Sequence, residues 1–326
     1  MKAVHCSGAG DIAVLHWSQH DDPEAGPGEV LIEVVASAVN RADLLQRLGV
    51  YPPPPGVTDV LGLECSGRVV AVGEGVNRWA VGDEVCALLA GGGQAELAVA
   101  AEGQVMPVPA GVDLVTAGSL PEVCATVWSN LVMIARLTAG QTLLVHGGAS
   151  GIGTMAIQVA RALGANVVAT AGPAEKVERC RELGAHVAIS YRDEDFVDAT
   201  LEATNGRGAD VILDIMGAAY LERNVSALAA NGQLVIIGLQ GGTQAELNLS
   251  SLLTKRATIH ATSLRARPLD EKADICAAVV DGLWPMIADG RVKPVVHTTL
   301  RMNQVAEAHL LVASNQHIGK VVLTVQ

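Results

Sequence analysis

Four glycines, Gly147, Gly148, Gly151 and Gly153, punctuate the stretch LLVHGGASGIGTMAIQ. An apolar strand pattern runs into them, and a helical pattern that ends at Gly164 runs out. A Cβ at such positions would block a tight turn and the close approach of a phosphate, while the first amides of the helix face negative charge. The strand pattern NVVATAG then completes a βαβ unit of the right length. In that context the glycines read as the pyrophosphate turn of a dinucleotide site.

The end of the next strand bears on which dinucleotide is taken. An acidic residue about 20 positions on would bind a ribose 2′-hydroxyl. This chain has Ala171, Gly172 and Pro173 there, with Lys176 and Arg179 opening the following helix. Nothing at that point repels a 2′-phosphate, and a nearby cation makes a charge-assisted contact with one. Tyr191, at the end of the following strand, can add a hydrogen bond. These residues point to NADPH rather than NADH; the alternative for Lys176 and Arg179 is a solvated helix face. The same glycine spacing occurs in short-chain dehydrogenases, which need a tyrosine four residues before a lysine. The three tyrosines, Tyr51, Tyr191 and Tyr220, are followed at that spacing by Pro55, Asp195 and Asn224, so that class is set aside.

A second polar group lies in VNRADLLQRLGVYPPPPG, residues 39–56. Asn40 and Asp43 stand at the start of a helical pattern, and Tyr51 precedes four prolines. A residue before proline is biased to extended backbone, and the proline run stiffens the chain beyond it, so Tyr51 is held on a rigid support. The plainer alternatives are a helix cap for Asn40 and loop packing for Tyr51. His16 and His20 have no accompanying cysteine or carboxylate ligand set, so no metal site is read there. The six cysteines are scattered without a C-x-x-C pair and read as buried free thiols.

The elements that must position these residues fall into two styles. Up to about residue 110 the chain is short apolar strands broken by glycine, as in EVLIEVVASAV and LECSGRVVAVGEGV, which indicates a small β-rich domain. From Pro121 onward near-continuous apolar strands alternate with amphipathic helices, the pattern of a parallel sheet covered on both faces. ATIHATSL adds a last strand; two helices and a closing strand, GKVVLTV, come after it and are expected to return to the first domain. The expected division is residues 1–121, 122–265 and a returning segment 266–326. With 326 residues, 50% hydrophobic and 17% charged, the chain can bury a large core. A net charge of −12 argues against nucleic acid or an anionic membrane as partner. No run approaches the roughly 20 apolar residues of a membrane span. MKAVHCSGAGDIAVL reads as an alternating strand rather than a leader, so a cytoplasmic location is expected.

A β-rich domain, a nucleotide-binding domain and a returning C-terminus together resemble the medium-chain dehydrogenase/reductase superfamily. GLECSGRVVAVGEGVNRWAVGDEV is similar to the segment that carries G-H-E in its zinc enzymes, but Leu63 stands where the zinc-binding histidine would be. Asn40, in ASAVNRADLL, matches a cysteine ligand, and GDEVCALLAGGGQAELAV runs past the place of the structural-zinc lobe. The resemblance is therefore to the zinc-independent quinone oxidoreductases, which include zeta-crystallin. NRADLLQRLGVYPPPPG, LLAGGGQAE, AYLERNVSALAANGQLVIIGLQGG and HIGKVVL place it nearest the tumour-suppressor-inducible subgroup.

This resemblance implies an α/β fold, a GroES-like catalytic domain joined to a Rossmann doubly wound domain, in an NADPH-dependent homodimer paired near ATIHATSL. Gly148, Ala149, Ser150, Gly151, Ile152 and Gly153 would hold the pyrophosphate. Gly172, Lys176, Tyr191 and Lys320 would take the 2′-phosphate end. Thr126, Leu239 and Gly241 would lie by the nicotinamide, and Asn40 and Tyr51 would line the substrate cleft between the domains. The implied chemistry is hydride transfer to a quinone or another conjugated acceptor, without a metal. Tyr51 and Asn40 would hydrogen-bond the oxygen that gains charge. A reductase of alkenals or enoyl thioesters and a non-catalytic NADPH-binding protein are the competing readings.

Overall fold

A computed structural model describes residues 1–325, and the apolar runs of the N-terminal part form its first strands. β1 (Lys2–Cys6) and β2 (Leu15–Gln19) make an antiparallel ribbon. Next along the chain are β3 (Glu29–Val39), α1 (Arg41–Arg47), β4 (Glu64–Val72), β5 (Glu84–Leu88), β6 (Leu97–Ala101), β7 (Val105–Pro107), α2 (Leu114–Ala117) and α3 (Pro121–Val127). The strand–helix alternation then gives β8 (Thr142–His146), α4 (Gly151–Ala162), β9 (Asn166–Ala171), α5 (Ala174–Glu182), β10 (Val187–Ser190) and α6 (Phe196–Ala203). It continues with β11 (Ala209–Asp214), α7 (Leu221–Ala227), β12 (Leu228–Ile236), α8 (Leu249–Lys255) and β13 (Thr258–Ala261). The last segment holds α9 (Leu269–Gly282), α10 (Trp284–Ala288), β14 (Val296–Arg301), α11 (Val305–Ala313) and β15 (Lys320–Thr324).

Two units result. The first comprises Met1–Ala125, Leu264–Gly290 and the described residues from Pro294 onward; the second comprises Thr126–Ser263 and Arg291–Lys293. In the first unit a seven-stranded sheet runs β14-β15-β3-β4-β5-β7, with β6 also paired to β3. Its core gathers Ile32, Val34, Val69, Val85, Val105 and Leu323. Register does the positioning that matters here. Val39 lies opposite Val321, and Ser37 lies opposite Cys65. Asn40, Glu64 and Lys320, each one residue from these pairs, are thereby drawn to one place.

The second unit is a parallel sheet ordered β10-β9-β8-β11-β12-β13. This is the doubly wound order, in which the chain reverses direction between β8 and β11 and opens a crevice at the carboxyl ends of the strands. β8 is buried along its whole length, which explains its unbroken apolar run. Phe196, the only phenylalanine, is fully buried, edge-on to His146 at 4.7 Å and beneath the Arg223 guanidinium at 4.1 Å.

Two local differences from the sequence expectation have physical causes. PEVCATVWSNLVMIARL predicts one regular helix, but α3 gives way to a π-helical stretch at Trp128–Ile134. The Asn130 side chain donates to the Thr126 carbonyl at 2.8 Å, and the Ala135 amide reaches back five residues to Asn130. The strand expected at QLVIIGL starts earlier, at Leu228. Its pairing jumps from Leu228 to Gln233, and Asn231 takes a φ of 62° inside the irregularity. Replacing Phe196 with alanine is expected to cost about 3–5 kcal/mol, by the usual cavity penalty. Urea unfolding measures this, and a loss below about 1 kcal/mol would show that the site can collapse.

Candidate active site

In the first unit a buried polar cluster forms where β3 turns into α1. Glu64 is fully buried, and both of its oxygens are engaged. Oε1 accepts from the Lys320 ammonium at 2.6 Å and from Asn40 Nδ2 at 2.9 Å; Oε2 accepts from the Glu122 amide at 2.9 Å. Lys320 also donates to Asn40 Oδ1 at 2.7 Å. Asn40 therefore stands at the N-terminus of α1 with its side chain turned into this network, and Asp43 supplies the carboxylate that takes the Asn40 amide at 2.7 Å. Asp43 accepts from the Gly62 amide too, yet burial outweighs those two donors and raises its carboxyl to about 6.

Arg265 closes the other side of the cluster. Its guanidinium donates to the carbonyls of Ala90 and Tyr51 and to Gln46 Oε1, at 2.6, 3.3 and 2.6 Å. It also sits 5.4 Å from the centre of the Tyr51 ring. Tyr51 is thus placed by a buried cation as well as by its prolines, and the Tyr51 amide donates to the Leu45 carbonyl at the end of α1. Glu122, at the start of α3, keeps some exposed surface; burial and the neighbouring Glu64 push its carboxyl up to about 8. Glu64, Glu122 and Arg265 escape sequence reading because no motif marks them. The one signal for any of them is Glu64's position beside Leu63.

In the second unit the glycine turn links β8 to α4. Gly147 has a φ of 67°, and a Cβ on Gly153 would lie 2.3 Å from the Gly147 carbonyl oxygen. A Cβ on Gly148 would meet Cys180 Sγ at 2.8 Å and Ala169 at 3.0 Å. Ser150 caps α4 by accepting the Gly153 amide at 3.0 Å. The amides of Gly151 and Ile152, with no carbonyl four residues back, are left at the helix N-terminus for an anion. Gly172 follows β9, and its Cβ would come 3.2 Å from the Tyr191 hydroxyl, so those two residues share one spot; Lys176 is in the first turn of α5. Arg179 pairs instead with Glu182 on its own helix. Leu239 is half exposed after β12, and the Gly241 amide donates to the Met216 carbonyl after β11. Thr126 is buried, its carbonyl held by Asn130. A cavity of about 210 Å³ lined by Thr142, Asn166 and His186 sits at the opposite ends of β8 and β9 and contains none of these residues.

Lys320 departs from its expected place. It belongs to the first unit and is nearly inaccessible, its charge matched by Glu64, so it has no free charge to offer a 2′-phosphate. β1 and β2 also bring His5 within 4.6 Å of His20 and 5.5 Å of His16, a cluster that spacing does not reveal.

Two family models match the chain. Residues 26–110 match an alcohol dehydrogenase GroES-like domain, and residues 151–278 match a zinc-binding dehydrogenase domain. The chain has the medium-chain dehydrogenase/reductase fold. It is similar to an NAD-dependent alcohol dehydrogenase (29% identity, all of both chains, TM-score 0.87) and to Escherichia coli quinone oxidoreductase complexed with NADPH (26%, 99% of this chain and all of the other, TM-score 0.88). It is equally similar to the JamJ enoyl reductase (25%, 99% and 98%, TM-score 0.89). Among curated relatives is a phenolphthiocerol/phthiocerol polyketide synthase polypeptide of Mycobacterium tuberculosis, 31% identical over 91% of this chain; the chain spans 14% of that relative's length.

A nicotinamide dinucleotide, the cofactor type of this fold, fits the glycine turn, because glycines at 147, 148, 151 and 153 keep Cβ atoms off the first amides of α4. Zinc does not fit the first unit's cluster. Leu63 offers no donor, while Asn40 and Glu64 are committed to an ammonium. Among the described residues no group of three His, Cys, Asp or Glu is placed to hold a metal. Replacing Lys320 with methionine would leave Glu64 buried without a counter-charge, and removing one partner of a buried pair costs about 3–5 kcal/mol. Urea unfolding should show that loss, and adding Glu64→Leu should recover part of it; an unchanged midpoint in the single variant would mean that water reaches Glu64.

Proposed function

We propose that this chain is an NADPH-dependent oxidoreductase that reduces a flat, conjugated acceptor, a quinone in the first instance. The observation that carries the reading is the Asn40–Glu64–Lys320 cluster. A cluster whose polar groups pair with one another, with no place for a metal, suits an acceptor that is already electrophilic. When bound, the dihydronicotinamide supplies the hydride. The chain's own residues do the rest. The α4 N-terminus and Gly148–Gly153 hold the pyrophosphate. Lys176, with Gly172 and Tyr191, takes the 2′-phosphate. Asn40 and Tyr51 orient the acceptor oxygen, with Arg265 fixing the Tyr51 ring.

The similarity to a quinone oxidoreductase complexed with NADPH supports this reading, including its cofactor. The similarity to an enoyl reductase and to a polyketide synthase polypeptide supports a second one, reduction of enals or enoyl thioesters by the same hydride geometry. We further propose a homodimer through β13, which lies at the edge of its sheet and presents unpaired backbone groups there. The setting is cytoplasmic, in keeping with six free cysteines. No helix among the described residues is long and apolar enough to cross a membrane.

Oxidation of NADPH against a panel of quinones and a panel of enals decides between the two enzymes. Quinone turnover is expected; turnover of enals alone transfers the assignment to the second reading. Tight NADPH binding without turnover of either would indicate a binding protein. The double variant Asn40→Ala, Tyr51→Phe should lower kcat about 10²-fold, the scale of one lost oxyanion donor. Lys176→Ala should raise the KM for NADPH roughly tenfold, equivalent to about 1.4 kcal/mol, and leave that for NADH unchanged. Equal effects on both cofactors would remove Lys176 from the 2′-phosphate site.

A further inference from the structure

The cavity of about 210 Å³ lies where β8, β9 and β10 begin, at the far end of the sheet from the glycine turn. Val167, Val168 and Ala203 give it apolar walls, and Thr142, Asn166 and His186 are its polar members. The contacts of His186 do not balance. In a neutral imidazole one nitrogen accepts and the other donates. Nδ1 faces the Val167 amide at 2.9 Å and therefore accepts. Nε2 must then carry the proton, yet the group that it faces at 2.7 Å is Arg161 Nη1, which can only donate. Protonation brings no relief, since an imidazolium donates from both nitrogens. Partial burial, and after it the Arg161 charge, hold the ring below the ordinary histidine range, which keeps it neutral.

Two N–H donors thus converge at the edge of the cavity. The Arg161 stem runs against Gly184, where a Cβ would come 2.9 Å from Arg161 Cγ and 3.4 Å from its Nε, and this support keeps the guanidinium beside His186. The other charges nearby are matched. Arg207 donates to both Asp210 oxygens at 2.8 Å, and Asp210 also accepts the Thr142 amide at 2.7 Å. Arg161 makes no ion pair among the described residues, so its charge is the one left over.

We propose that this cavity binds a small organic acid as its anion, the carboxylate accepting from Arg161 and His186 and the apolar body lying against Val167, Val168 and Ala203. A carboxylate oxygen is the acceptor that the converging donors lack, and hydrogen bonds to a charged partner are about twice as strong as neutral ones. The volume is below the roughly 300–1,000 Å³ of pockets for drug-sized ligands, so the body is limited to one ring or a short acyl chain. The apolar walls favour an organic acid over inorganic phosphate. All these residues belong to the second unit, and the inference does not depend on which acceptor is reduced.

Isothermal titration of the full chain with benzoate tests the proposal, with benzamide, acetate and inorganic phosphate as comparators. Benzoate should bind saturably at a single site. Benzamide lacks the charge, acetate lacks the ring and phosphate lacks any apolar body, so each should bind about tenfold more weakly or worse. Saturating benzoate should raise the His186 pKa in an NMR titration, because a bound anion favours the imidazolium. Arg161→Gln should weaken benzoate about tenfold, the scale of one charge-assisted hydrogen bond. Ala203→Leu, which fills the cavity, should abolish binding. Both positions are exposed, so the thermal midpoints of the unliganded variants should match the wild type. Absence of saturable benzoate binding would overturn the proposal, as would benzamide or phosphate binding as tightly as benzoate. A His186 pKa unmoved by bound benzoate, or wild-type affinity in both variants, would overturn it equally.

Discussion

The first unit is organised around one buried ion pair. Lys320 and Glu64 are 256 residues apart in sequence, and their 2.6 Å contact draws the last strand, β4 and the entry to α1 and α3 into one node. Removing two charges from water is expensive, and it is tolerated only where the remaining lone pairs and protons are satisfied. Asn40 and the Glu122 amide provide that satisfaction. The polar residues around the node are therefore held in fixed geometry by an electrostatic requirement, and the sheet register delivers them to it.

The second unit depends on a steric requirement. Backbone passes so close to Gly153, and side chains so close to Gly148, that no Cβ fits at either position in the turn without a shift. Behind it His146, its imidazole held low at about 4 by burial, bonds Thr170 and Asn224 and ties β8 to β9 and α7. A neutral imidazole suits that position, since a charged one would be buried without a counter-charge.

Together these requirements suggest a division of tasks. In the proposed function, backbone amides and glycines serve the part of the cofactor that does not react, where charge and shape suffice. The first unit instead gathers side chains whose protonation burial has shifted. Burial raises the carboxyls of Asp43 and Glu122 in that cluster above the usual range.

Much of this is legible in the chain. The alternation of apolar runs with amphipathic helices announces a doubly wound sheet and a β-rich partner, because local period and turn chemistry are properties of neighbouring residues. The strand–glycine–helix junction is legible for the same reason. The node is not. Lys320 carries no local sign that it will face Glu64, and without that contact its resemblance points it towards a phosphate. Arg265 reaches Gln46 across 219 residues, and Glu122 reaches Glu64 across 58. Sequence by itself determined the alternation of strands and helices and the place of the glycine turn between β8 and α4. Only the tertiary structure decided which charges meet, because register and burial are set by strands distant in the chain.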